Sequence, residues 1–339
     1  MTDVKTISVI GAGTWGMALA RMLSNSGYTV KVWSALPEEI EQLSTTRRQK
    51  NLPDMIIPDD IVFSSDLSEV CLPDSLFLFA VPSVFVRDTA KKVRPFVKEG
   101  AIIADVAKGI EPVTLMSMSE VIHQEIPCAT VVALSGPTHA EEVARDLPTT
   151  IVSACADQQA AELVQKVFSN SRMRVYTNSD IQGVELCGAL KNIIALAAGI
   201  SAGLGYGDNT KAAIITRGLH EMARLGIRMG CNPDTFSGLA GMGDLIVTAT
   251  SQHSRNNRCG FMIGQGIPVE EAVKKTGMVV EGINALPAAM ALSEKYDTEM
   301  PITAGVNAII REGKSPAQEV EDLMSRQMKT ELPRPIFKA

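Results

Sequence analysis

A glycine-rich loop near the start of the chain constrains the fold more than any other feature. The apolar run TISVI (6–10) leads directly into Gly11-Ala-Gly13-Thr-Trp-Gly16, which opens the helical run MALARMLSNS and is followed by a second strand-like run, TVKVW (29–33). The GxGxxG spacing alone is a weak signal, but strand, glycine loop, helix and strand in this order are typical of dinucleotide-binding units. Gly11 would permit the tight turn, Gly13 the close approach of a pyrophosphate, and Gly16 the packing of the helix on the sheet. The sequence therefore predicts a dinucleotide site, with the phosphate charge at the helix N-terminus; the alternative is a glycine turn without a ligand.

The residues after the second strand bear on which dinucleotide would bind. A site selective for NAD usually carries an acid at the end of this strand, about twenty residues after the glycines, to hold the ribose hydroxyls. Here the strand is followed by Ser34-Ala35-Leu36, and the first acid is Glu38. This favours NADP, or the use of both dinucleotides. However, no arginine stands at that point to hold a 2′-phosphate, and Arg47 and Arg48 lie further along.

The order of strand-like and helical segments predicts an α/β fold with a doubly wound parallel sheet, followed by an all-helical region. The candidate strands are 6–10, 29–33, 60–63, 75–81, 101–107, 130–135, 149–154 and 172–177. After Ser179 the strand signals fade, and helices are expected at 182–203, 209–229, 256–265, 281–295 and 316–328. We therefore expect a dinucleotide-binding domain over 1–180, a helical substrate-binding domain over 181–330 and an irregular tail over 331–339.

The composition excludes several classes of protein. The chain has 339 residues, of which 45% are hydrophobic, which is enough for two domains with sizeable cores. The net charge of −6 and the lack of a basic cluster argue against nucleic acid as a partner. The opening MTDVKTISVI is unlike a signal peptide, and no apolar run reaches the length of about 18 residues that a membrane span needs. Six dispersed cysteines without metal-ligand spacing indicate free thiols, no metal site and a cytoplasmic protein.

Further polar segments follow the later candidate strands, where ligands bind in doubly wound sheets. VPS (81–83) follows the fourth strand, Lys108 the fifth and SGPTHAEE (135–142) the sixth. Ser83 and Thr138 are candidate helix caps. Lys108 is a candidate for the cofactor cleft, and its alternative role is that of a solvated loop lysine.

The segment VELCGALKNIIALAAGISAGLG (184–205) reads as a buried helix with Lys191 in its middle. Helical spacing places Lys191 on one face with small residues, which would leave room beside its stem. Of the four histidines only His139 falls in a segment at the predicted cleft, so a lysine is the better candidate for proton transfer. Two alternatives remain: a lysine whose stem crosses an apolar surface, and small residues that serve close helix packing.

Two later segments could complete a site for an anion. Asp244 precedes an apolar run, where its ordinary role would be that of an N-cap. Ser254, Arg255 and Asn256 would suit a phosphate or a carboxylate, with the arginine able to bind it through two hydrogen bonds. The alternative is an ordinary polar helix start.

From about Thr6 to Glu321 the chain resembles the NAD(P)-dependent glycerol-3-phosphate dehydrogenases of the soluble bacterial type. The resemblance rests on these motifs, in this order: GAGTWGMALA, VPS, AKGIE, SGPTHAEEV, GALKNIIALAAGI, TRGLHEM, GMGDL, SRNNRCG and VVEG. It implies a Rossmann domain followed by a helical substrate domain, a homodimer, and an enzyme that supplies glycerol 3-phosphate for phospholipid synthesis.

The resemblance also implies roles for individual residues. Lys191 matches the acid/base residue, and Asp244 and Lys108 are its expected catalytic neighbours. The dinucleotide would contact Gly11, Gly13, Thr14, Trp15, Gly16, Ser34, Lys108, Ala140, Arg255, Val279 and Glu281. The phosphorylated three-carbon substrate would contact Lys108, Gly136, Thr138, Lys191, Asp244, Ser254, Arg255 and Asn256. This sequence departs from the family pattern at His139, where an aromatic or apolar residue is usual, and at Ser34, where many bacterial members have His or Arg.

The implied reaction is hydride transfer between NAD(P)H and the ketone of dihydroxyacetone phosphate, with Lys191 supplying the proton. In the reverse direction the neutral amine must act as base, which requires a pKa lowered from about 10.4 by burial, or alkaline conditions. Two other functions remain open: another lysine-using reductase that acts on a carboxylate, and a non-catalytic dinucleotide sensor.

Overall fold

The computed structural model describes residues 4–328, 330 and 331, so most of the predicted irregular tail lies outside the described residues. An eight-stranded sheet occupies the first part of the chain. Its strands are β1 (Thr6–Ile10), β2 (Thr29–Trp33), β3 (Val62–Ser64), β4 (Leu76–Phe79), β5 (Ile102–Asp105), β6 (Thr130–Ser135), β7 (Thr149–Ala154) and β8 (Met173–Asn178). All eight predicted strands are present, with ends that differ by at most two residues.

Helices flank the sheet and then form the second part of the chain. Those between the strands are α1 (Thr14–Asn25), α2 (Pro37–Thr46), α3 (Leu67–Val70), α4 (Val86–Val93), α5 (Met118–Glu125), α6 (Ala140–Val143) and α7 (Gln158–Phe168). The later helices are α8 (Ile181–Gly203), α9 (Asp208–Met229), α10 (Pro233–Ser237), α11 (Asp244–Thr250), α12 (Arg255–Gly264), α13 (Val269–Thr276), α14 (Glu281–Lys295), α15 (Pro301–Arg311) and α16 (Pro316–Met324). A single π turn, Leu239–Gly243, precedes α11.

The sheet has the strand order β3-β2-β1-β4-β5-β6-β7-β8. The order reverses between β1 and β4, which opens a crevice beyond the carboxyl ends of these strands. The glycine loop follows β1 directly and therefore lies at this crevice. Apolar side chains cover both faces of the sheet, one face packing on α1, α6 and α7 and the other on α4 and α5.

The predicted parallel sheet is found for the first six strands, but the last two strands run in the opposite direction. β7 runs antiparallel to β6, and β8 is then parallel to β7. The only helix between β6 and β7 is α6, with four residues. A helix rises only about 1.5 Å per residue, so α6 is too short to carry the chain back to the amino end of a six-residue strand. The chain therefore returns along the sheet as a strand.

Helix α8 is the core of the second part of the chain. It contacts α9, α11, α12, α14 and α15, and nearly all of its residues are buried. Small residues allow α12 to approach closely: a methyl group on Gly199 would lie 2.1 Å from the carbonyl oxygen of Asn257, and one on Gly260 2.2 Å from that of Leu196. Close helix packing therefore accounts for part of the small-residue pattern in α8.

The expectation that no apolar segment has the length of a membrane span needs correction for α8. This helix has 23 residues, and an 18-residue window within it has a mean hydropathy of 1.5 and few charges, so α8 is long and apolar enough to cross a membrane. Yet 89% of its apolar window is buried within the protein, as in the core helix of a globular protein.

Candidate active site

The glycine loop has the shape that a dinucleotide pyrophosphate requires. Gly11 has a φ of +121°, and a side chain there would lie 2.6 Å from the carbonyl oxygen of Ala80. A methyl group on Gly16 would lie 2.2 Å from the carbonyl oxygen of Gly11. Gly13, by contrast, faces open space within 4 Å and precedes α1 without a side-chain cap. The free N–H groups at the helix start can therefore donate hydrogen bonds to an anion, so these residues fit the predicted cofactor.

The two residues after Gly13 form the first turn of α1. Thr14 accepts a hydrogen bond from the side-chain amide of Asn51 through its hydroxyl, at 3.0 Å. Trp15 is half-buried and packs against the sheet core.

The end of β2 carries an acid that the sequence pattern did not reveal. The Ser34 hydroxyl donates a hydrogen bond to Oε2 of Glu39 at 2.6 Å, which brings this carboxylate back from α2 to the strand end. Arg47 and Arg48 donate to backbone carbonyls of the following loop, at 2.8 Å from Ile61 and Pro53 respectively. The sequence has no acid at the end of β2, but the folded chain brings the Glu39 carboxylate of α2 to that position.

A cluster of the buried Lys191 and Asp244 with the half-buried Lys108 lies where β5 and β6 meet the helical region. The Lys191 ammonium donates to Oδ1 of Asp244 and, at 2.7 Å, to the Thr248 hydroxyl. Lys108 donates to the other carboxylate oxygen of Asp244 at 2.6 Å and to the Gly136 carbonyl at 3.2 Å. Lys191 is only 5% exposed, so its ammonium does not reach bulk solvent and the alternative of a lysine that crosses an apolar surface is excluded. Asp244 binds two ammonium groups and makes no hydrogen bond to the amides of its own helix, so the N-cap alternative was wrong.

Burial and charge set the protonation of this cluster. Burial lowers the pKa of Lys191 to about 7; the charge of Asp244 opposes this shift and the charge of Lys108 adds to it. Burial alone would raise the pKa of Asp244, but the charges of Lys108 and Lys191 outweigh it and hold that pKa below the usual range. An ionised aspartate thus lies beside a lysine that can gain or lose a proton near neutral pH.

The start of α12 is tied to the same cluster through buried amides. The Asn256 side chain donates to Oδ1 of Asn192 at 2.9 Å and accepts from the backbone N–H of Gly282 at 2.9 Å. The Ser254 hydroxyl caps α12 by accepting from the backbone N–H of Asn257. Because Asn192 follows Lys191 in α8, these contacts hold the two polar segments next to each other.

Arg255 lies in the first turn of α12. Its half-buried guanidinium has no hydrogen-bond partner among the residues described, although Glu281 and Glu141 attract it electrostatically. Burial lowers its pKa from the usual value. A half-buried guanidinium at the start of a helix is suited to bind an anion.

Two of the remaining predicted residues, Glu281 and Thr138, have defined hydrogen-bond partners. Glu281 accepts hydrogen bonds from the Ser83 hydroxyl at 2.7 Å and from its N–H at 3.3 Å, so Ser83 binds this carboxylate and does not cap a helix. The Thr138 hydroxyl donates to the Gly136 carbonyl, and residue 139 precedes α6, so the proposed Thr138 cap was also wrong. Ala140 is buried and Val279 half-buried.

His139 lies against α11. Its Nε2 is 3.4 Å from the Val247 carbonyl, and its ring centre is 5.9 Å from that of His253. Burial lowers its pKa, and Lys191 is among the charges that act on it. A polar ring therefore fits at this position because it has a backbone partner.

The sequence did not predict three of the hydrogen-bond partners at the candidate site: Thr248, Asn192 in its pairing with Asn256, and Glu39. Thr248 follows Asp244 by four residues, so helical spacing could have indicated that both face Lys191. The other two depend on contacts between distant segments. Within the described part of the chain, no group of three His, Cys, Asp or Glu side chains could hold a metal ion, and all six cysteines are free thiols.

Comparison with known proteins identifies the family. The family model described as the NAD-dependent glycerol-3-phosphate dehydrogenase N-terminus matches residues 6–161, and that of the C-terminus matches residues 180–321. The chain is 61% identical to glycerol-3-phosphate dehydrogenase [NAD(P)+] 2 of Lactobacillus delbrueckii subsp. bulgaricus, over 96% of this chain and 98% of that protein. It is 52% identical to glycerol-3-phosphate dehydrogenase [NAD(P)+] of Agathobacter rectalis, over 96% of this chain and 97% of that protein. The crystal structure of glycerol-3-phosphate dehydrogenase from Coxiella burnetii superimposes with a TM-score of 0.92 at 36% identity, over 95% of this chain and 99% of that one. The chain therefore belongs to the NAD-dependent glycerol-3-phosphate dehydrogenase family.

Proposed function

We propose that this enzyme interconverts dihydroxyacetone phosphate and sn-glycerol 3-phosphate with NAD(P)H, and that Lys191 is its acid and base. The observation that carries this proposal is the buried Lys191 held by Asp244 and Thr248 beside the carboxyl ends of the sheet. A buried lysine with a pKa of about 7 is matched to proton transfer near neutral pH.

The chain's own residues would assist the reaction as follows. Bound nicotinamide would supply or accept the hydride at the carbonyl carbon. As the carbonyl oxygen of the substrate gains negative charge, the Lys191 ammonium would stabilise that charge and donate the proton. In the reverse direction neutral Lys191 would take the hydroxyl proton. Asp244 would hold the ammonium in position, and Lys108 would keep that aspartate ionised.

Phosphate recognition would come from the start of α12. Arg255 lacks a hydrogen-bond partner within the described chain, and Ser254 and Asn256 are buried beside it. Gly136 and Thr138 would contact the substrate from the sheet side, next to Lys108. Binding energy from the phosphate would hold the ketone in place for reduction.

Several finer assignments belong to the same proposal. The cofactor-lining residues would be those of the glycine loop together with Ser34, Lys108, Ala140, Arg255, Val279 and Glu281. Residues 1–180 would bind the dinucleotide and residues 181–330 the substrate, a division that the change from β8 to α8 supports. We expect a cytoplasmic homodimer that supplies glycerol 3-phosphate for phospholipid synthesis, and sedimentation of the purified protein tests the dimer.

The test is oxidation of NADH and of NADPH, side by side, with dihydroxyacetone phosphate. We expect efficient turnover, and at least about a hundredfold lower kcat/KM with dihydroxyacetone, which lacks the phosphate. Faster turnover of ketopantoate or another carboxylate would instead support the alternative reductase. Dinucleotide binding without turnover of any of these substrates would support the sensor.

A further inference from the structure

The end of β2 carries a fixed carboxylate for which the proposed reaction has no use. Glu39 lies in the first turn of α2, and the Ser34 hydroxyl binds its Oε2 at 2.6 Å. Ser34 is itself buried and accepts a hydrogen bond from the backbone N–H of Leu36 at 3.2 Å. With its oxygen occupied by that amide, the hydroxyl proton points to the carboxylate. The position of Glu39 is therefore set by the backbone at the strand end.

The end of β2, to which Ser34 holds this carboxylate, lies beside the glycine loop. The carbonyl of Trp33, the last residue of β2, accepts a hydrogen bond from the N–H of Gly11 at 2.9 Å. Trp33 also pairs with Ile10 at the end of β1, so the two strand ends and their loops are adjacent. In dinucleotide-binding folds, the place beyond the second strand is where the adenosine ribose lies.

We propose that Glu39, positioned by Ser34, binds the adenosine ribose hydroxyls of NAD(H) and excludes the 2′-phosphate of NADP(H), so that the enzyme prefers NADH. This inference rests on dinucleotide binding in the proposed function. This is the opposite of the preference for NADP that the sequence after β2 indicates.

The charges around the site support this direction. A carboxylate accepts hydrogen bonds from ribose hydroxyls, whereas a 2′-phosphate brings negative charge against it. Arg47 and Arg48 are directed to backbone carbonyls of the following loop. The first turn of α2 carries both Glu38 and Glu39, which offset the positive potential of this helix N-terminus.

The test measures the affinity of the purified enzyme for NADH and NADPH by titration calorimetry, without substrate, and then kcat/KM with each. We expect wild-type enzyme to bind NADH at least about tenfold more tightly than NADPH. Glu39→Gln removes the charge but keeps the size, and should reduce this ratio about tenfold, mainly through tighter NADPH binding. Glu38→Gln is the matched control, because it removes the same charge from an exposed neighbour in the same turn. It should change the ratio less than about twofold.

A second variant separates the charge from its position. Ser34→Ala keeps the Glu39 carboxylate but removes the hydroxyl that positions it, so NADH should bind more weakly than to the wild type. Because the negative charge remains, NADPH should still bind more weakly to Ser34→Ala than to Glu39→Gln. Equal binding of both dinucleotides by the wild type, or a ratio that Glu39→Gln leaves unchanged, would overturn the inference. Selective NADH binding without reduction of dihydroxyacetone phosphate would leave the inference standing and refute the proposed function instead.

Discussion

In the proposed mechanism the proton transfer depends on Lys191. Replacing it with Met keeps an unbranched side chain in the buried site but removes the group that exchanges the proton. We expect Lys191→Met to lower kcat by about 10²- to 10⁴-fold, while the affinity for NADH measured by fluorescence stays within about threefold. A kcat near that of the wild type would rule out Lys191 as the acid and base.

Burial lowers the pKa of Lys191, and the charge of Lys108 lowers it further, so Lys108 should affect the pH dependence of the proposed reaction. Oxidation of glycerol 3-phosphate needs the neutral amine, so its rate should rise as pH increases through about 7 and then level off. Lys108→Ala removes a positive charge that lowers the pKa of Lys191, so this pKa should rise and the ascending limb should move to higher pH. Steady-state kcat against pH measures the shift. The control is Lys98→Ala, which replaces an exposed lysine that precedes β5 at the amino end of the sheet. An unshifted limb in Lys108→Ala would contradict the assignment.

Arg255 is expected to act on substrate binding. Its guanidinium is half-buried at the start of α12 and has no hydrogen-bond partner in the described chain. Arg255→Ala should raise KM for dihydroxyacetone phosphate at least about thirtyfold, since a charge-assisted bidentate contact contributes about 2 kcal/mol or more. Initial rates over a range of substrate concentrations measure it. An unchanged KM would place the phosphate elsewhere.

At the scale of the elements, the contact between α8 and α12 depends on glycine. A methyl group on Gly260 would lie 2.2 Å from the Leu196 carbonyl oxygen and 3.0 Å from the Ile200 nitrogen, both backbone atoms that cannot move aside alone. Gly260→Ala should therefore lower the free energy of unfolding by about 2–3 kcal/mol, measured by urea denaturation. Gly207→Ala, at a position with open space around it, should change it by less than about 1 kcal/mol. Equal effects of the two variants would show that the close approach is not limiting.

The sequence predicts the elements with strong local patterns and misses those defined by tertiary contacts. The eight strands, α8, α9, α12 and α14 follow from apolar runs and helical spacing, and their observed ends lie within two residues of the prediction. The short helices α10 and α13 have too few residues for a periodic pattern, and the direction of β7 depends on how short α6 is. Among site residues, those in recognisable motifs could be named in advance. The Ser34–Glu39 contact was not named in advance, although the end of β3 has the same five-residue spacing between Ser64 and Glu69.

At the scale of the whole molecule, the site exists only when the sheet and the helices are assembled. Lys108 and Asp244 are 136 positions apart in sequence, and they meet where the carboxyl end of the sheet faces α8 and α11. Burying such charges is costly unless each has a partner, so the cluster is stable only in the complete fold.

A second buried acid, Asp105, lies where the sheet meets the helical region. Asp105 ends β5 and is 1% exposed; one of its oxygens accepts from the N–H of Ala107, and the other has no partner within the described residues. Burial, with the nearby charge of Glu185 on α8, raises the pKa of Asp105 well above its usual value. The native carboxyl therefore holds its proton over a pH range in which the unfolded chain has lost it.

The stability contributed by the protonated Asp105 should thus be present below about pH 4 and be lost as pH rises toward its native pKa. The side chain that Asp105→Asn introduces cannot ionise. The free energy of unfolding of this variant, relative to that of the wild type, should therefore increase with pH by at most about 1.4 kcal/mol per pH unit. Urea denaturation of both proteins at about pH 5 and about pH 7.5 measures the difference, and the linkage relation fixes its sign. Asp88→Asn, which removes an exposed carboxylate, should show no such trend. A difference between Asp105→Asn and the wild type that stays constant with pH would mean that Asp105 is ionised in the native protein, and that the junction between sheet and helices accommodates its charge.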